Sequence, residues 1–219
     1  MTDRRPDVQL VAVVLLGQFN ASIFQPAWFA SEGLIKKREA EDATIELIRK
    51  GISAFSLEWC NILANQDRFQ ITTTQESAHE LVRDLVVGAF SLLRHTPIKQ
   101  MGINRDSHYR VESRERWHDF GHTLAPKEHW KGILDSPGLM GMTMEERPRR
   151  DGLSGYVRVT VGPSEKVPQG IYIAVNSHYE VGGSKEVLSS EGVIDILKSS
   201  WSDSLSRTNE ITQSLIEKV

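Results

Sequence analysis

A chain of 219 residues, 39% hydrophobic and 25% charged, is long enough to bury a substantial core and has an ordinary globular composition. Its formal charge of -3 and pI near 6.2 give no general pull toward nucleic acid or anionic membrane, so such binding would need a local basic patch. The single cysteine, Cys60, has no partner for an internal disulfide and sits in the apolar stretch AFSLEWCNIL, which fits a reducing cytoplasm.

Residues 8–17, VQLVAVVLLG, form a continuous apolar run of the kind found in strands buried on both faces. The run is too short for a membrane span, and no small-residue cleavage site follows it, so neither membrane insertion nor export is expected. The next segment, FNASIFQPAWFASEGLI at 19–35, has Pro26 suited to the first turn of a short helix and Gly33 suited to its end. Phe24, Trp28 and Phe29 are expected to cover the core where the first strand leaves the sheet. Trp28 and Phe29 are also candidates for lining a binding surface.

From about residue 37, KREAEDATIELIRKG places Ala40, Ala43, Ile45, Leu47 and Ile48 at mostly helical spacing, with Gly51 as the stop. ISAFSLEWCNIL and DRFQITTT flank ANQ as a hairpin, with Phe55, Leu57 and Trp59 facing Phe69 and Ile71. Thr73 and Glu76 have capping-box spacing at the head of a helix whose stripe is Ala78, Leu81, Val82, Leu85, Ala89, Leu92 and Leu93. A strand from about Ile98 puts Met101, Ile103, Tyr109 and Val111 on one face. Strand, helix, strand, strand, helix, strand is the order of a ferredoxin-like half.

In the remainder, Ser113 caps a helix carrying Trp117, Phe120, Gly121 and Leu124 and ended by Pro126. Strands follow at about 138–147, 154–163 and 169–181, and a long amphipathic helix from residue 189 or 190 carries Ile194, Leu197, Trp201, Leu205, Thr208, Ile211 and Leu215. The expectation is an α+β protein with an antiparallel sheet of about seven strands backed by helices. Its first half is ferredoxin-like, and its second is a three-stranded meander plus a long C-terminal helix. The chain reads as a single domain of two sheet-sharing halves, about 1–111 and 112–219, without internal repeats, low-complexity tracts or a flexible linker.

Alternation in QMGINRDSHYRV and GIYIAVNSHYEV sends Asn104 and His108, and Tyr172, Asn176 and His178, away from the core. With Arg158 they form the most site-like constellation in the chain: imidazoles that titrate near neutrality, and arginine and asparagine to orient an anionic or carbonyl substrate. His108 and His178 are thus the catalytic candidates, and Asn104, Asn176, Arg158 and Tyr172 the binding candidates. An exposed face of an antiparallel sheet accounts for the same polarity without a site.

His118 and His122, four apart on a predicted helix, have the spacing of a zinc pair, but the glutamate of a metalloprotease helix and a nearby cysteine are both missing. RPRRDG offers Arg147, Arg149 and Arg150 to phosphates, against an acidic total and no RNA-recognition strand pattern. VGGSKE at 181–186 lacks the glycine spacing of a phosphate loop and reads as a turn. No serine-nucleophile elbow, Walker loop or dinucleotide fingerprint occurs, so no cofactor is expected.

The segments FNASIFQPAWFASEGLI, MGINRDSHYRV and IYIAVNSHYEV resemble segments of uncharacterised, sporadically distributed bacterial proteins of about this size. The resemblance implies a bacterial cytoplasmic protein of an accessory kind, such as defence or immunity, and carries over no catalytic residues. The leading expectation is a non-enzymatic binding or assembly protein with a protein partner or self-association and no membrane. The alternatives are a small enzyme using His108 and His178, or a nucleic-acid binder; a small-molecule ligand is left unspecified.

Overall fold

The computed structural model describes residues 4–182 and 188–217; most of the VGGSKE turn lies outside them. Among the described residues, nine antiparallel strands form one sheet in the order β2-β3-β4-β5-β1-β6-β9-β8-β7. They are β1 (Val8–Gly17), β2 (Thr44–Arg49), β3 (Ile52–Ser56), β4 (Asn61–Asn65), β5 (Arg68–Thr73), β6 (Ile98–Arg110), β7 (Met142–Glu146), β8 (Gly155–Pro163) and β9 (Gly170–Glu180). The helices are α1 (Pro26–Ser31), α2 (Lys37–Glu41), α3 (His79–Leu92), α4 (Arg114–Leu124) and α5 (Glu191–Ile216). No helix among the described residues is long and apolar enough to cross a membrane.

Two of the nine strands were not expected. The spacing in KREAEDATIELIRKG predicts a helix through Thr44–Arg49, but only Lys37–Glu41 is helical, and TIELIR pairs with β3 instead. Gly51 serves that hairpin rather than a helix end: its φ of 86° supplies the left-handed turn residue between β2 and β3. The long strand expected over 52–63 is broken at 57–60, where the Leu57 N–H donates to the Cys60 carbonyl and the chain reverses into β4. The first half therefore exceeds its expected strand order by two strands.

The expected capping box is not formed either. Thr73 Oγ1 accepts from the Gln75 N–H (3.0 Å) and donates to the Trp59 carbonyl (2.7 Å), and a 3-10 turn at Glu76–Ala78 precedes α3. The buried stripe of α3 is Val82, Leu85, Val86, Ala89 and Phe90; Leu81 and Leu92 face solvent. Ser113 does cap α4, accepting from the Arg116 N–H at 3.2 Å.

The core lies on the helix-covered face. Met101, Ile103, Tyr109 and Val111, and Ile171, Ile173, Val175 and Tyr179, are all buried there, as alternation requires. One apolar cluster gathers β1, β3, β4, β5 and the start of β6 under α1, α3 and the first turns of α5. A second gathers the far ends of β6, β8 and β9 under α4 and the last turns of α5. Between them α5 carries Ser204, Thr208 and Thr212, all buried, and Ser107 of β6 and Ser177 of β9 are buried as well. The Thr208 and Thr212 hydroxyls donate back to the carbonyls of Ser204 (2.9 Å) and Thr208 (2.7 Å), so these hydroxyls are satisfied within the helix.

Candidate functional site

The helix-free face carries a row of residues across all nine strands that is polar except at Ala12 of β1. Register places Thr44, Ser56, Asn61, Thr72, Ala12, Asn104, Asn176, Arg158 and Glu145 side by side from β2 to β7. The expected neighbours Asn104, Asn176 and Arg158 are thus brought together. The two asparagine amides meet above Gly102, where an added Cβ would lie 3.3 Å from Asn104 Oδ1 and 3.5 Å from Asn176 Oδ1. Both side-chain oxygens are buried without a hydrogen-bond partner among the described residues. Arg158 donates to Glu145 at 2.7 Å, which raises the guanidinium pKa and lowers that of the carboxyl.

His108 and His178 do not share a site. His108 lies opposite Tyr172, six residues along β9 from His178, a separation of about 20 Å at roughly 3.4 Å per residue. Both imidazoles are on the helix-free face but closed off, at 5% and 9% exposure. That is a correction to the expectation of outward-facing groups, and flanking aromatic rings contribute to it. The His108 ring lies 4.9 Å from that of Tyr172, and His178 stacks on Tyr156 at 4.4 Å and 11°. Arg147 and Arg158 in turn lie over Tyr156, at 4.9 and 4.5 Å.

Burial is the first cause lowering the pKa of each histidine. Lys166 adds to it at His108, and Arg147, Arg158 and Arg149 add to it at His178, while Asp106 and Glu180 respectively oppose it. Ser164 Oγ lies 2.8 Å from His108 Nδ1 and already accepts the N–H groups of Lys166 and Val167. Its proton therefore goes to Nδ1, which places the proton of the neutral ring on Nε2.

Burial raises the pKa of Asp106, partly offset by the hydrogen bond from Tyr172 and by Lys166 and His108. The Tyr172 hydroxyl is itself pushed up to about 12, first by burial and then by Asp106. A carboxyl whose folded pKa lies above its unfolded value binds its proton more tightly when folded. Stability then falls as pH rises through the interval between the two values and stays lower above it. Asp106→Asn, which keeps an acceptor for Tyr172, is expected to raise the melting temperature at neutral pH and to lose that advantage near pH ~4. Thermal melts of both proteins at the two pH values check this, and a destabilised variant at neutral pH would contradict it.

The aromatic candidates divide. Phe29 is fully buried, with its ring 6.0 Å from Phe55, whereas Trp28 is partly buried and packs edge-on to Phe24 and Phe29. His118 and His122 lie with rings 6.2 Å apart and 21° from parallel, and no group of three or more metal-ligating side chains gathers among the described residues. The arginines expected at the RPRRDG tip are each neutralised. Arg147 bonds Glu145, Arg150 bonds Glu146, and Arg149 is buried, paired with Asp151 and stacked 3.9 Å above the Tyr179 ring.

Around β7 the structure holds surfaces that residue patterning missed. β7 ends the sheet, pairing with β8 in unbroken register from Met142↔Val161 to Glu146↔Val157. Met144 is 62% exposed above a groove of 480 Å³ between β7, β8 and α5, with Val159, Ile211 and Leu215 in its walls. Its rim is an ion pair from Glu146 to Arg207 at 2.7 Å. A cavity of 610 Å³ lies between α4, the segment 125–141 and the ends of β8 and β9. The signal available in the sequence was WKGILDSPGLMGMTM, apolar but without strand or helix period. Compared with known proteins, the chain matches no family model and no curated protein.

Proposed function

We propose that the chain is a non-enzymatic binding and assembly protein of the cytoplasm, and that it assembles through β7. The observation that carries this reading is the combination of a regular sheet-edge strand with the exposed Met144 and the apolar groove behind it. Edge strands present unpaired backbone groups, and natural proteins blunt them with bulges, charges or prolines. The opposite edge, β2, carries a register shift between Ile45 and Leu47, whereas β7 has none, and its two charges, Glu145 and Glu146, are paired within the chain with Arg158 and with Arg150 and Arg207. The cytoplasmic setting is supported by Cys60, a lone buried thiol pushed up to about 12 by burial and by Glu39.

The partner that fits best is a second copy. Antiparallel pairing of two β7 strands about Met144 sets Glu145 opposite Thr143 and Glu146 opposite Met142, so no carboxylate faces another. The paired Met144 side chains would cover each other's grooves. Sedimentation velocity is expected to show a concentration-dependent dimer that Met144→Lys or Thr143→Pro converts to monomer, with circular dichroism unchanged. A wild type that stays monomeric at every concentration would overturn the reading, as would a dimer indifferent to both substitutions.

A further inference from the structure

We infer that the cavity between α4 and the sheet is a second, separate site that binds a planar aromatic anion. Its 610 Å³ falls within the range of about 300–1,000 Å³ typical of small-molecule pockets. One wall is rigid and aromatic. The indole N–H of Trp117 donates to the Gly170 carbonyl at 2.9 Å, and Phe120 beside it is 3% exposed. Trp130, 45% exposed, lines the same cavity, so flat rings are available for offset or edge-on contact with a flat ligand.

The polar groups give the ligand its charge. His118 and His122, one turn apart on α4, both line the cavity, and neither ring makes a hydrogen bond to another described residue. Lys127 lines it too, so the lining carries three basic side chains against a single carboxylate, Asp135. Imidazole N–H and ammonium groups donate to a sulfonate or carboxylate. An aromatic body against the indoles, with its acidic group toward the two histidines and Lys127, satisfies both parts of the lining.

Gly121 supplies a clean test. It lines the cavity from α4, and a Cβ built on it meets only Leu139, at 3.8 Å. Leucine there fills the space while favouring the helix over glycine. The probe is 8-anilinonaphthalene-1-sulfonate, compared with its neutral relative N-phenyl-1-naphthylamine by fluorescence titration. The expected result is one saturable sulfonate site per chain, weakened about tenfold or more by Gly121→Leu without loss of thermal stability. The sulfonate should also bind more tightly than the neutral probe, a preference lost in the double variant His118→Gln/His122→Gln. Met144→Lys, outside the cavity, should leave binding unchanged, which separates this site from the assembly surface. Binding that survives Gly121→Leu, several weak sites per chain, or no preference for the sulfonate would overturn the inference.

Discussion

Truncating Phe24 to alanine is expected to destabilise the fold by about 3–5 kcal/mol, the range for removing a fully buried aromatic ring. Phe24 is 1% exposed, and its ring lies 4.9 to 6.4 Å from those of Phe19, Trp28, Phe29, Phe69 and Phe90. These rings come from the segment after β1, from α1, from β5 and from α3, so the side chain joins four parts of the first core. Its backbone carbonyl also accepts the buried Ser53 hydroxyl, which fixes the segment to β3 and limits how far the surroundings can collapse into the void. For a chain of this size the loss corresponds to roughly 6–20 °C in melting temperature. Phe24→Leu retains part of the volume and should fall between wild type and alanine. A melting temperature for Phe24→Ala within error of wild type would contradict the packing described.

Trp201→Ala should have a comparable effect by a different route, again about 3–5 kcal/mol. The side chain is 1% exposed in the first core, and its indole N–H donates to Glu80 of α3 at 3.0 Å. It is the largest fully buried side chain of α5. Downstream, the helix meets the middle of the sheet through serine and threonine, which bury less apolar surface. Loss of Trp201 should therefore raise amide exchange in the first half of α5 ahead of the rest of the fold. Trp201→Phe, which forfeits the hydrogen bond but keeps a ring, should cost less. Uniform exchange along the chain, or equal losses for Phe and Ala, would show that Trp201 does not hold the helix in this way.

What the sequence reveals about this fold follows the range over which each signal acts. β1, β6, β8, β9, α4 and α5 declare themselves through continuous runs, alternation or a capping serine, all within one element. β2 does not, because TIELIR lies among charges that also fit a helix, and its strand state depends on β3 beside it and on a left-handed Gly51. Alternation placed His108 and His178 on the face opposite the core. Their closure depends on Tyr172, Ser164 and Tyr156, reached only through cross-strand register and a loop. The alignment of Asn104, Asn176 and Arg158 was foreseeable if their strands shared a sheet; the 20 Å or so between the histidines required the register itself. The cavity and the β7 groove were out of reach, being spaces between elements rather than properties of any one.

Assembly through β7, as proposed above, is open to hydrogen–deuterium exchange measured as a function of protein concentration. The β7 backbone amides that point away from β8 are expected to become more protected as concentration rises, while the amides of the opposite edge strand β2 do not change. Protection in β7 that is independent of concentration, or that rises equally in β2, would contradict it.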